Sequence, residues 1–301
     1  MAKRNIVGKI QMRSDTAEAW ASKNPVLDVG EIGYDITNKR TKIGDGSTPW
    51  NFLLWFAIKT PPNFSTDSWS EIAEYSASGV AKNFYKIGDE KTIELTTGEE
   101  ITLVILGFNH DDKTGGGKAG ITIGIKDVLS DLYKWNETAT VVGGWGESDI
   151  RKTMLTLFTH LPVDLQNVIK TVNKKYVSNL DSFETKVSSD KLWLLSLAEI
   201  YSKTALEQEQ FLDINVNIDK YITEGKQYDY WKNLINDNTP YEKNAALIKH
   251  SPSSGNGIKW ALRSVAMINT VNRCYIGIDS RGDVFMRDAN LTVGVSYCFC
   301  V

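Results

Sequence analysis

The chain has 301 residues and 42% hydrophobic content, enough for two or more domains with real cores. Its formal net charge is −3 and it has no long basic run, so nucleic-acid binding has no electrostatic footprint. No apolar run approaches the ~20 residues that span a bilayer. No apolar signal segment follows the basic start Met1–Asn5 either, so a soluble product with neither membrane insertion nor secretory export is expected.

In chain order, Asp15 and Glu18 have capping-box spacing, which predicts a short helix over Asp15–Lys23 before Pro25. Two alternating runs, Glu31–Ile36 and Thr41–Ile43, flank Thr37-Asn38-Lys39-Arg40 and predict a β-hairpin. The second run stops at Gly44-Asp45-Gly46-Ser47-Thr48-Pro49, where glycines can take positive φ and Asp45 can bond its own backbone. Trp50 then opens an apolar cluster that continues through Phe52-Leu53-Leu54-Trp55-Phe56. A module of about sixty residues cannot easily bury that much aromatic surface alone. Hairpins from several chains sharing one core would solve the problem.

The prolines of Thr60-Pro61-Pro62-Asn63-Phe64-Ser65 and the small residues Ser76-Ala77-Ser78-Gly79 mark a boundary. The expected organisation is a β module over 1–60, a linker over 61–81 and a second domain over 82–301. That domain begins with a hairpin, Thr92–Leu95 and Ile101–Leu106, then a polar loop Asn109–Gly117 and a strand within Ile121–Val128. Ser148 is a good N-cap for an amphipathic helix with Ile150, Met154, Leu155, Leu157, Phe158 and Leu161 on its apolar face. Pro162 opens a second helix carrying Leu165, Val168, Ile169 and Val172. Lys191–Ser196 reads as a short buried strand, and Ser196 and Glu199 have capping-box spacing for a helical turn beyond it. Tyr201–Asn256 reads as long loops with a helix or two. Strands return at Lys259–Ser264, Asn272–Asp279, Val284–Arg287 and Thr292–Val301, with a tight turn at Ser280-Arg281-Gly282-Asp283.

Two resemblances follow from these residues. The ordered pieces Arg13-Ser14-Asp15-Thr16, Asn24-Pro25-Val26-Leu27, Gly30-Glu31-Ile32-Gly33-Tyr34 and Ile43-Gly44-Asp45-Gly46-Ser47-Thr48 with Trp50 resemble the N-terminal module of the major tropism determinant family of phage receptor-binding and tail-fibre proteins. Further on, Gly143-Gly144-Trp145-Gly146-Glu147-Ser148-Asp149-Ile150-Arg151, Lys191–Tyr201, Trp260-Ala261-Leu262-Arg263-Ser264 and Gly294–Val301 resemble, in order, an uncharacterised domain family of phage and gut-bacterial surface proteins. Its members typically carry a "WWLRS" strand and a terminal "GVRPAF" and look like C-type-lectin folds. This chain departs from them at Lys259-Trp260-Ala261 and at Gly294-Val295-Ser296-Tyr297, where it lacks the family's arginine. The resemblances imply an α+β protein: a small β-rich oligomerisation module, intertwined and β-prism-like, followed by a C-type-lectin-like domain. They also imply a homotrimer.

Motifs for chemistry are weak. His110, His160 and His250 have no metal-type spacing. Gly115-Gly116-Gly117-Lys118 lacks the Ser or Thr of a phosphate loop. Asp111-Asp112 lacks an EF-hand's spacing, and Arg281-Gly282-Asp283 is turn chemistry. Glu147, Asp149 and Glu199 lie near helix starts, where acids complement the dipole. Cys274, Cys298 and Cys300 are expected as buried free thiols. No catalytic residue, metal or cofactor is therefore expected, and the chain is read as a non-enzyme.

Surface recognition remains, since loop aromatics supply rigid contact area. The expected contact residues are Tyr228, Tyr230, Trp231 and Tyr241 in the polar insertion, with Asn272, Tyr275, Arg281, Asp283, Arg287 and Asn290 on the C-terminal strands and turns. The expected function is multivalent host attachment by a phage tail-fibre or tail-tip protein assembled into virions in the host cytoplasm. Its partners would be other copies, virion proteins bound through the N-terminal module, and a host-surface glycan or protein. A capsid head fibre or decoration protein, or a tail-associated glycan hydrolase, are the alternatives.

Overall fold

The computed structural model describes residues 12–56, 61–182, 184–207, 218–235, 244–268 and 272–301. The chain divides into two units at Pro61/Pro62.

In the first unit, β1 (Arg13–Asp15), α1 (Ala17–Lys23), β2 (Ile32–Asp35), β3 (Arg40–Ile43) and β4 (Trp55–Phe56) form one helix and a sheet of order β1-β2-β3-β4. The expected hairpin is present, with Ile32 opposite Ile43 and Asp35 opposite Arg40. Thr16, not Asp15, caps α1: its Oγ1 accepts the Ala19 N–H at 3.2 Å, and Asp15 instead pairs with Lys23 at 2.6 Å. Asp45 accepts the Ser47 and Thr48 N–H groups and the Thr48 hydroxyl, at 2.9, 2.7 and 2.6 Å, and these bonds hold its carboxyl below the usual range. The core is Trp20, Leu27, Trp50 and Leu53, with the two indoles stacked at 4.0 Å. Gly33 explains part of that packing. A Cβ there would lie 2.5 Å from the Trp50 ring, so only a bare α-carbon admits the indole. Outside this core, Leu54 is 88% exposed, Phe52 75% and Val29 81%.

The second unit begins where a linker was expected. Ser68 and Glu71 form a full capping box at the start of α2 (Trp69–Ala77), and Phe64, Trp69 and Ile72 are buried in the unit's main core. Prolines and small residues here punctuate a packed helix rather than a tether. After it come β5 (Glu90–Glu94), β6 (Glu100–Phe108), β7 (Ile121–Ile125), β8 (Leu132–Lys134), α3 (Gly144–Glu147), α4 (Asp149–Thr159), α5 (Val163–Val168), β9 (Val172–Asn179) and β10 (Glu184–Asp190). Then follow β11 (Trp193–Leu194), α6 (Leu197–Ile200), α7 (Lys203–Glu207), a 3-10 segment Ile218–Glu224, α8 (Asp229–Leu234), β12 (Lys249–His250), β13 (Gly257–Ile258), β14 (Trp260–Ile268), β15 (Asn272–Ile278), β16 (Val284–Arg287), β17 (Thr292–Gly294) and β18 (Tyr297–Cys300).

Two five-stranded sheets, β11-β18-β7-β6-β5 and β16-β15-β14-β17-β8, dominate a mixed α+β unit. Thr292–Val301, expected as one strand, is split between them: β17 joins the second sheet and β18 the first. Ser148 caps α4 as expected, while Leu155, assigned to its apolar face, is 74% exposed. Gly144 has φ +59°, and a Cβ there would meet the Val177 carbonyl at 2.0 Å. The glycines before Trp145 therefore let α3 approach β9 closely enough to seat that indole, whose Nε1 donates to Asp190 at 3.0 Å.

Candidate functional site

Beneath the surface of the second unit lies a buried ionic network. A register shift in β14 between Ala261 and Val265 turns Arg263 out of the ladder, and its backbone N–H goes to Leu195 O at 2.8 Å. The guanidinium uses all five of its donors. Nε donates to Lys175 O at 3.1 Å; Nη1 to Leu194 O at 2.8 Å and Glu199 Oε2 at 2.5 Å; Nη2 to Glu199 Oε1 at 3.0 Å and Glu224 O at 2.8 Å. Glu199 in turn accepts the Ser196 N–H at 3.0 Å, the capping contact its spacing predicts.

Lys174 on β9 also has all three donors satisfied, by Asp111 Oδ1 at 2.6 Å, Glu199 Oε1 at 2.5 Å and the Tyr228 hydroxyl at 3.2 Å. Thr122 donates to the other Asp111 oxygen at 2.6 Å. Ser264 Oγ donates to Glu224 Oε2 and accepts the Leu197 N–H. Burial alone would push Asp111 and Glu199 up, but Lys174 and the neighbouring His110 hold the Asp111 carboxyl, and Arg263 and Lys174 the Glu199 carboxyl, below the ordinary range. Burial dominates at Glu224 and raises it. Both Glu224 oxygens accept hydrogen bonds, Oε1 from the Val177 N–H at 3.0 Å and Oε2 from Ser264 Oγ.

The side chains of this network are engaged with one another. Asp111 cannot lend its oxygens to calcium while Lys174, Tyr228 and Thr122 occupy them, and Asp112 pairs with Lys118 at 2.7 Å. Among the described residues no group of three or more His, Cys, Asp or Glu is arranged to hold a metal. Glu199 is bound to Arg263 and Lys174, whereas Asp149 pairs with Lys152 and caps the Glu137 N–H, so these acids serve separate structural tasks. The cysteines are free and buried. Burial pushes the Cys274 thiol up to about 11 and the other two further.

The expected contact residues do not form one surface. Tyr228, Trp231 and Tyr275 are fully buried: Tyr228 belongs to the ionic network, and the other two fill the core. Tyr230 is half-buried against Trp231, with ring centroids 4.9 Å apart. Arg281 and Asn290 are exposed and Asp283 and Arg287 half-buried, but they occupy opposite ends of β16. Arg281 is held within its own turn by Asp279 and Asp283, each at 3.2 Å. Tyr241 and the side chain of Asn272 lie outside the described residues.

Two clefts instead flank the strip Ile222–Lys226. One, of about 390 Å³, lies over the network between His110, Asp112, Lys118, Lys175 and Lys226; the other, of about 500 Å³, is bordered by Tyr201, Lys203, Lys226, Gln227 and Lys232. Five exposed lysines thus face two exposed carboxylates, Asp112 and Asp229, across these borders. The sequence reading missed both clefts and network. The available signal was an ionisable residue inside an apolar run, as with Arg263 in Trp260–Val265 and Glu199 in Leu197–Ile200.

Among the described residues no helix is long and apolar enough to cross a membrane. The major tropism determinant N-terminal domain matches residues 10–48. That match supports a phage tropism-determinant-like protein and a virion component. Comparison with curated proteins and with solved structures returned no match. A domain of unknown function, DUF6273, matches residues 120–300, a span that holds both five-stranded sheets' central strands and Lys174, Glu199, Glu224 and Arg263 of the ionic network, while Asp111 and one wall of the first cleft precede it. Since that span exceeds half of the chain, the protein belongs to the DUF6273 family.

Proposed function

We propose that this protein is a non-catalytic receptor-binding component of a phage virion that attaches to the host surface through repeated weak contacts. The observation that carries the reading is the tropism-determinant match over residues 10–48. The first unit would associate as a homotrimer in a prism-like arrangement and dock on other virion proteins. Its four-residue core and its exposed Val29, Phe52 and Leu54 favour such an assembly. The second unit, read as C-type-lectin-like, would carry the receptor contacts. Its lysine-bordered clefts around Ile222–Lys226 suit anionic groups on a host-surface glycan or protein. Linked sites on one rigid assembly give avidity well beyond a single contact.

Binding of the purified full chain to host cells tests this. The expected result is saturable adhesion that falls at least tenfold in Lys175→Glu/Lys226→Glu and is competed by soluble second unit. Adhesion unchanged in that variant would remove the clefts from the reading. A virion that adsorbs normally after loss of residues 62–301 would remove receptor binding itself.

A further inference from the structure

Lys249 is the one buried lysine of the described second unit without a carboxylate partner. Arg263 and Lys174 are each paired with carboxylates, but the Lys249 ammonium, 4% exposed, donates only to the Ile125 and Lys126 carbonyls, at 2.8 and 2.6 Å. An ammonium has three donors, so one N–H remains. Trp260 and Trp231 place ring centroids 5.1 and 6.0 Å from Nζ. Those π-faces offset part of the charge, yet no anion completes it.

The ammonium borders a partly open pocket of about 120 Å³, whose wall also includes Trp231, Ser296 and Cys298. Trp231 is 2% exposed and its indole Nε1–H has no hydrogen-bond partner among the described residues. A buried N–H left unpaired costs on the order of 1–3 kcal/mol, so two such donors on one cavity point to an absent acceptor. The acceptors nearby are already engaged: the Ile125 carbonyl takes Lys249 and also Ser296 Oγ at 2.9 Å, and the Lys126 carbonyl takes Lys249. Burial keeps the Cys298 thiol protonated, which makes it another weak donor. At the rim, the half-exposed Asp127 carboxylate accepts the His250 N–H at 2.8 Å and lies 3.1 Å from its Nδ1.

We infer that this cavity is a binding site for one small monovalent anion, a halide or a one-carbon carboxylate, held by Lys249 Nζ and Trp231 Nε1. A wall rich in N–H donors, one of them cationic and without a counter-ion, selects an acceptor with negative charge over neutral water. The volume of about 120 Å³ suits a small anion better than one as large as a sugar acid. The site is separate from the lysine-bordered clefts and stands whether or not those clefts bind a receptor.

The experiment is thermal unfolding of the full chain at constant ionic strength in sodium gluconate, whose anion is a sugar acid, with chloride or formate replacing gluconate stepwise. Saturable stabilisation of about 3 °C is expected at tenfold excess over the dissociation constant, and it should disappear in both Lys249→Met and Trp231→Phe. No difference between the anions, or a difference that survives in Lys249→Met, overturns the assignment, because water alone then fills the cavity or the anion binds elsewhere. If Lys249→Met fails to fold, bromide-soaked crystals of the unmodified protein decide the matter. An anomalous peak between Nζ and Nε1 supports the site, and an empty cavity at saturating bromide refutes it.

Discussion

The first unit closes its core with four side chains, two of them stacked indoles, and leaves large apolar side chains in solvent. The second unit surrounds its sheets with a continuous apolar core and can also bury Arg263, Lys174, Asp111, Glu199 and Glu224 within it. Size accounts for the difference. A small module cannot cover its own apolar surface, whereas a domain several times larger has interior enough to sequester charge and pair it. The first unit therefore leaves apolar surface uncovered, whereas the second encloses both its apolar core and its charges.

The strongest way to break that comparison is to unbalance the interior of the larger unit. Arg263→Met leaves Glu199 with Lys174 alone and frees three backbone carbonyls, at Lys175, Leu194 and Glu224. A loss of about 3–5 kcal/mol is expected, as when one member of a buried ion pair is removed. Urea unfolding followed by tryptophan fluorescence measures it. A loss under about 1 kcal/mol would mean that the network is dispensable to the fold.

Next in size, Trp50→Ala removes half of the stacked pair and opens a void beside Gly33 and Leu27. The expected cost is about 3–5 kcal/mol, borne by the first unit. Calorimetry should lose or lower that unit's transition and leave the other within a degree. A joint shift of both would show that the units do not unfold separately.

How much of this was legible in the sequence follows from the range of the interactions. The hairpins at Ile32–Ile43 and Ile93–Ile101 and the cap at Ser148 were legible because alternation, turn residues and N-caps act within a few positions. The network was not, because Asp111, Lys174, Glu199, Glu224 and Arg263 come from five separate segments that only the fold brings together. The aromatic insertion misled for a related reason. Tyr228 and Trp231 sit among charged neighbours in sequence, but α8 turns them inward while Asp229 and Lys232 face water. Helical spacing over six residues is too short a record to reveal that face.

A third test concerns charge in the larger unit that has no partner carboxylate. Burial lowers the Lys249 ammonium to about 8, while the nearby Asp127 carboxylate acts in the opposite sense. The unfolded chain holds this proton up to about 10.4. Between those values the unfolded state binds more protons, so stability rises with pH across that window and the burial penalty is fully present below it. Measured in gluconate against Lys249→Met, the unmodified protein should gain about 3 kcal/mol in relative stability from pH 7 to 10.5. A flat difference would place Lys249 in a far wetter setting than its burial indicates.

The smallest expected effect on folding bears most directly on the proposed association of the first unit. Phe52 and Leu54 contribute little to the four-residue core, so Phe52→Ser/Leu54→Ser should change the stability of an isolated copy by no more than about 0.5 kcal/mol each. If copies of this unit cover one another, the same changes remove apolar area from every contact at once, and a symmetric assembly multiplies the loss by the number of equivalent interfaces. Sedimentation equilibrium should then show the unmodified chain as an oligomer and the double variant as a monomer at micromolar concentration, with circular dichroism unaltered. An oligomer that persists would locate the contact elsewhere and leave Phe52 and Leu54 for the virion. A variant that unfolds as a monomer would mean that the module holds its shape only in company.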